Sequence, residues 1–112
     1  MINICCCSAE VIYKGSTPTL YFTTNAPLVD IETMIVTFKQ RGQIILEKTK
    51  DDITIIENEG LKLKLTQEET LLFSAKYEIE AQLRIKYSTE DVAVTSGITC
   101  FTMGEVLKHE VI

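Results

Sequence analysis

From Lys76 to Tyr87 the chain alternates strictly: Tyr77, Ile79, Ala81, Leu83, Ile85 and Tyr87 are separated by Glu78, Glu80, Gln82, Arg84 and Lys86. A period of two sends one set of side chains into a core and the other into water. The segment therefore predicts a long, half-buried antiparallel strand. Such a strand needs neighbours on both sides and a second layer over its apolar face, and the rest of the chain supplies candidates for each role.

Leu61, Leu63 and Leu65 alternate with Lys62 and Lys64 directly after Gly60. They predict a short strand leaving a turn at Glu57-Asn58-Glu59-Gly60, with Ile53 to Ile56 as its hairpin partner. Thr19 to Thr24 and Glu32 to Gln40 are rich in β-branched and aromatic residues and are separated by Asn25-Ala26-Pro27, so each is expected to be a strand. Arg41-Gly42-Gln43 leads into Ile44, Ile45, Leu46 and Glu47 as a hairpin, in which Gly42 can take the positive φ such turns require. After a polar turn over Ser88 to Asp91, a last strand is expected from Asp91 to Met103, and its broken alternation at Ser96-Gly97 predicts a bulge.

Helix chemistry occurs in Thr66-Gln67-Glu68-Glu69-Thr70-Leu71-Leu72-Phe73, where Thr66 can cap and Glu69, three residues on, completes a capping box. One short helical turn is expected there. About seven strands at roughly ten-residue spacing, with no βαβ alternation, predict an all-β, antiparallel two-sheet sandwich. With 112 residues, 46% apolar, the chain is the size of one domain, 1–112. Residues 1–8 read as a loose lead and 105–112 as a C-terminal tail.

Eleven basic residues against sixteen acidic ones give a net charge of −5, with the basic residues scattered. This lacks the cationic footprint that phosphate binding needs, so nucleic acid is not an expected partner. No apolar run approaches the roughly 18–20 residues of a membrane span. The start, MINICCCSAE, has no basic flank or cleavage pattern and does not read as a secretory signal. Cys5, Cys6 and Cys7 are contiguous and poorly placed to bridge one another, which fits a reducing compartment.

Candidate chemistry is sparse. Cys5 and Cys7 would share one strand face, but zinc wants four ligands, and Cys100 and His109 are the other soft donors. No metal site is assigned, and the thiols read as small apolar residues or parts of a loose tail. His109 lies in Lys108-His109-Glu110 with no identifiable nucleophile and reads as solvated. Gly15, Gly42, Gly60, Gly97 and Gly104 are isolated turn residues rather than a phosphate cradle. Asp51, Asp52, Glu57 and Glu59 match no calcium loop and read as turn residues. Glu68 and Glu69 are adjacent on a helical turn and point apart, so capping accounts for them. No catalytic residue, cofactor site or metal ligand is assigned.

Several phrases in order carry a resemblance. They are Tyr13-Lys14-Gly15-Ser16-Thr17-Pro18-Thr19-Leu20, Val36-Thr37-Phe38-Lys39-Gln40, the segment Leu65 to Phe73, Gln82-Leu83-Arg84, and the ending from Val106-Leu107-Lys108 to Val111-Ile112. From about Tyr13 onward the chain resembles small β-sandwich proteins encoded in tail and baseplate gene modules of phages and prophages of Firmicutes bacteria. It is also similar to the N-terminal Ig-like module of upper baseplate proteins; the CCC start is a departure from both. The resemblance implies an Ig-like sandwich with a non-enzymatic virion or virion-assembly role. It implies partners among tail, baseplate or fibre proteins, and a location in the host cytoplasm during assembly and then in the virion.

The expected function is therefore a structural or interaction module working through a sheet edge or exposed face, with Thr17 to Thr24 and the tail Glu105 to Ile112 as candidate contact segments. The alternative is a ligand- or carbohydrate-binding β domain, for which the absence of Trp leaves few aromatic platforms. Edge association into a homo-oligomer and a monomer with a self-docked tail are written in the same residues.

Overall fold

The computed structural model describes residues 4–6, 11–56, 60–89 and 92–112. The turn at 57–59, the second half of the expected 88–91 turn, and Cys7 with most of the expected loose lead lie outside the described residues.

The long alternating segment builds strand β8 (Ile79–Tyr87). Before it in the chain come β1 (Ile4–Cys6), β2 (Val11–Tyr13), β3 (Thr19–Thr24), β4 (Ile31–Gln40), β5 (Gln43–Thr49), β6 (Ile53–Ile56) and β7 (Gly60–Lys64). A short helix, α1 (Gln67–Leu71), separates β7 from β8, and β9 (Ala93–Thr95) and β10 (Thr99–Gly104) follow. The protein is all-β in two sheets. One has the order β1-β3-β7-β6; the other has the order β2-β10-β8-β4-β5, with β9 also on β8. Among the described residues seven strands are four residues or longer, the number expected, and β1, β2 and β9 are additional three-residue strands.

The layers meet where the alternation demands. Ile79, Ala81, Leu83 and Ile85 of β8 are buried beside Met34, Val36 and Phe38 of β4, and opposite them lie Leu20, Phe22, Leu61 and Leu63 of the smaller sheet. Phe22 meets Phe101 of β10 edge to face across the layers, with ring centroids 6.0 Å apart. Phe38 meets Phe73, just beyond α1, in the same way at 6.2 Å. Such pairs add about 0.5–1.5 kcal/mol beyond area burial. The helix thus closes one end of the core with an aromatic ring.

Three local expectations are met in detail. β6 and β7 pair antiparallel, Ile53 opposite Leu63 and Ile56 opposite Gly60. Arg41 and Gly42 both have positive φ, 52° and 77°, between paired Gln40 and Gln43, as a type I′ hairpin requires at both central positions. Thr66 Oγ1 accepts the Glu69 N–H at 3.2 Å while the Glu69 carboxylate accepts the Thr66 N–H at 2.8 Å, closing the capping box.

Three expectations are corrected. β8 begins at Ile79 rather than Lys76, because the Gln40 amide donates to the carbonyls of Ser74 and Tyr77 and accepts the Ser74 N–H. That side chain takes backbone groups the ladder would otherwise use and bends 74–78 away. The last strand is two strands, β9 and β10, on either side of the foreseen bulge: Ser96, Gly97 and Ile98 face two residues, Leu83 and Gln82. The pairing is also not wholly antiparallel, since β2 runs parallel to β10.

Gly60 has φ +144°, and a Cβ there would lie 2.1 Å from the Phe22 carbonyl oxygen. Gly60→Ala is expected to destabilise the protein by at least about 2 kcal/mol, through backbone strain and separation of β7 from β3. Urea unfolding monitored by circular dichroism measures it, and a loss below half that value would contradict the close approach.

Candidate interaction surfaces

The residues weighed for chemistry are dispersed by the fold. Cys5 and Cys6 are paired in register with Thr23 and Phe22 on an outer strand of the smaller sheet. Cys100 stands on β10 of the other sheet, opposite Glu80. Desolvation by its neighbours, and then the carboxylates of Glu78 and Glu80, push the Cys100 thiol up. This disfavours the reactive thiolate. Among the described residues no three of His, Cys, Asp and Glu gather into a metal-holding group.

His109 is exposed and meets Glu105, four residues back along the tail, at 2.6 Å. That contact, with the Val106 N–H, holds the Glu105 carboxyl below its ordinary value. Asp51 and Asp52 lie in a 3-10 turn over Lys50–Asp52, where the Asp52 carboxylate accepts from the Thr49 N–H and hydroxyl at 3.3 and 3.4 Å. They close the turn before Ile53 as expected. Glu57 and Glu59 lie outside the described residues.

The polar contacts that organise the molecule were not foreseen from the sequence. Thr70 is fully buried; its hydroxyl accepts the Gly15 N–H at 2.9 Å and donates to the Ser16 carbonyl at 2.9 Å, joining α1 to the turn after β2. Ser96 Oγ accepts the Leu83 N–H at 2.9 Å, replacing the partner that the bulge removes. Lys48 is the third. Its register opposite Val36 turns it inward from β5, and its ammonium meets the Glu69 carboxylate at 2.6 Å. Only the capping signal around Glu69 was legible in the chain; the cation that completes the pair lies twenty-one residues away in sequence.

With the interior so closed, the surfaces are of three kinds. The first is the pair of sheet edges β5 and β6, joined by the 3-10 turn and so adjacent along one side. Thr17 to Thr24, expected as a contact segment, lies inside the smaller sheet: among the described residues Phe22 to Thr24 of β3 pair with β1 and Thr19 to Phe22 pair with β7. Outward side chains such as Tyr21 are exposed.

The second is the outward face of the larger sheet, with shallow depressions of about 120 Å³ beside Lys39, Glu80 and Ile98 and about 200 Å³ beside Ile35, Arg84 and Val94. The third is 105–112, where Leu107 and Ile112 stand in solvent at 106% and 95% exposure. Its end is tied to α1 by the Gln67 amide, which accepts the Ile112 N–H at 2.7 Å and donates to the Ile112 carbonyl at 3.1 Å. The described helices include none long and apolar enough to cross a membrane. No protein-family model matches the chain, and no curated protein matches it.

Partial burial pushes the Glu69 carboxyl up, but hydrogen bonds and charge from Lys48, with the Thr66 N–H and hydroxyl, outweigh it and hold the group below its ordinary value of 4.5. A lowered folded value means stabilisation that is complete above 4.5 and lost as pH falls through the folded value. Glu69→Gln is therefore expected to cost about 1–2 kcal/mol near neutral pH. The difference from wild type should vanish on acidification. Urea midpoints across the acid range check this; a pH-independent difference would contradict the ion pair.

Proposed function

We propose that this protein is a non-enzymatic, virion-associated structural or interaction module of a phage or prophage tail or baseplate, built as an Ig-like sandwich. It works through contacts with other tail, baseplate or fibre proteins, in the host cytoplasm during assembly and then in the particle. The resemblance carried by the Gly15-Ser16-Thr17-Pro18 turn and the Leu65 to Phe73 corner motivates this reading. The two-sheet architecture is compatible with it. The observation that carries it is the apolar surface of 105–112: Leu107, Val111 and Ile112 lie exposed on a segment whose end is held by the Gln67 amide. Large apolar side chains exposed along one short segment offer a surface that a partner would bury.

The carbohydrate reading finds less support. The four tyrosines do not form a common platform: Tyr13 packs over Gly104, Tyr77 lies under the Arg41 guanidinium 4.7 Å from its ring centre, Tyr87 donates to the Pro27 carbonyl, and Tyr21 sits opposite Lys62.

Mass spectrometry of intact particles and assembly intermediates from induced lysogens is expected to find the protein, cross-linked to tail components through 105–112. Its consistent absence from both would end the virion-associated reading.

A further inference from the structure

The two adjacent edges differ in chemistry. An edge strand presents unpaired N–H and C=O groups, and proteins blunt such edges with inward-pointing charges and bulges. β5 carries both: the inward Lys48, and a bulge in which Ile45 is the extra residue between the pairs Phe38–Leu46 and Lys39–Ile44. β6 carries neither. Its residues, Ile53-Thr54-Ile55-Ile56, are uncharged and proline-free and keep regular register with β7.

Two further observations describe what would fit against β6. Ile55 is opposite Leu61, which is fully buried, so its side chain points to the core side; yet it remains 38% exposed, since no strand among the described residues lies beyond it. An apolar residue on an added strand would cover it. On the outward face, Lys62 and Lys64 of β7 are the charged residues of β3, β7 and β6, which contain no Asp or Glu, in a chain of net charge −5. Lys62 lies in one cross-strand row with Tyr21 and Thr54. The next position in that row belongs to the added strand, two strand spacings of about 4.8 Å from Lys62, a gap that a lysine and a glutamate side chain together span over the small Thr54.

We propose that β6 is a strand-acceptor edge, and that its occupant is an extended segment of a partner protein alternating apolar residues, which cover Ile55, with acidic residues, which face Lys62. A second copy of this chain is the weaker fit, because pairing two β6 strands would join two lysine-bearing faces into one. This inference deepens the module reading and rests on it: it names the edge used and the chemistry of the partner segment.

Two capped decapeptides, alternating valine with glutamate or valine with lysine, test it against the full-length protein. The valine–glutamate peptide is expected to bind, with amide shifts and slowed hydrogen exchange centred on residues 53–56, and the valine–lysine peptide to bind at least tenfold more weakly. Ile55→Lys, which gives β6 the inward cation that β5 has, should weaken binding at least tenfold. Lys62→Glu, on the solvent side, should reverse the preference between peptides and serves should Ile55→Lys fail to fold.

Failure of both peptides to bind, shifts centred on another surface, equal affinity for both, or an unchanged preference in Lys62→Glu would overturn the proposal. So would a concentration-dependent dimer of the protein formed through β6. Presence in particles with no peptide captured at β6 would overturn this inference alone. Capture at β6 by a protein absent from particles would leave the acceptor edge standing and overturn the virion reading.

Discussion

The structure depends on the burial of one face of β8 against the inward faces of β4, β3 and β7. Ile79, Ala81, Leu83 and Ile85 are within 1% of complete burial, and among the described residues no other strand pair is as extensive as β8 with β4. At about 25 cal/mol per Å² of apolar surface removed from water, these residues and their partners dominate the favourable side of folding. Every other feature is placed by this contact: the β4–β5 hairpin extends it, β9 and β10 flank it, and the smaller sheet covers it.

Polar side chains then settle the corners that packing alone leaves open. Gln40, Thr70 and Ser96 are each buried, and each takes the role of a missing backbone partner where the ladder stops or slips. A buried backbone group without a partner costs about 1–3 kcal/mol, so these substitutions set where strands end. Gln40 shortens β8, Ser96 permits the bulge between β9 and β10, and Thr70 holds α1 against the turn at Gly15. Lys48 and Glu69 do the same for the side of the sandwich, linking β5 to the helix cap and turning a cation inward at a sheet edge.

That last contact joins stability to surface. The side of the molecule where both edges are open has one strand bent by a bulge and marked by an inward charge, and beside it one that is regular and apolar. The outward face of the larger sheet, with its mixed charges and shallow depressions, and the exposed 105–112 segment are further places where partners can meet the domain. Such asymmetry limits pairing to one edge, since edges of equal reactivity would favour indiscriminate pairing.

The strand spans β3, β6 and most of β4, β7 and β8, the Arg41-Gly42 turn and the Thr66–Glu69 capping box were legible in the chain, because each is written over a few neighbouring residues: alternation, a glycine at a turn, a cap three residues from its partner. The dispersal of the cysteines over two sheets, the parallel β2–β10 pair, the late start of the expected β8 segment, the place of β3 between β1 and β7 and the Lys48–Glu69 contact were decided in three dimensions. Each joins residues distant in sequence, and its free energy exists only once the two layers have closed. Local periodicity determines which face of a strand is apolar; which of its edges stays open depends on what the remainder of the chain places beside it.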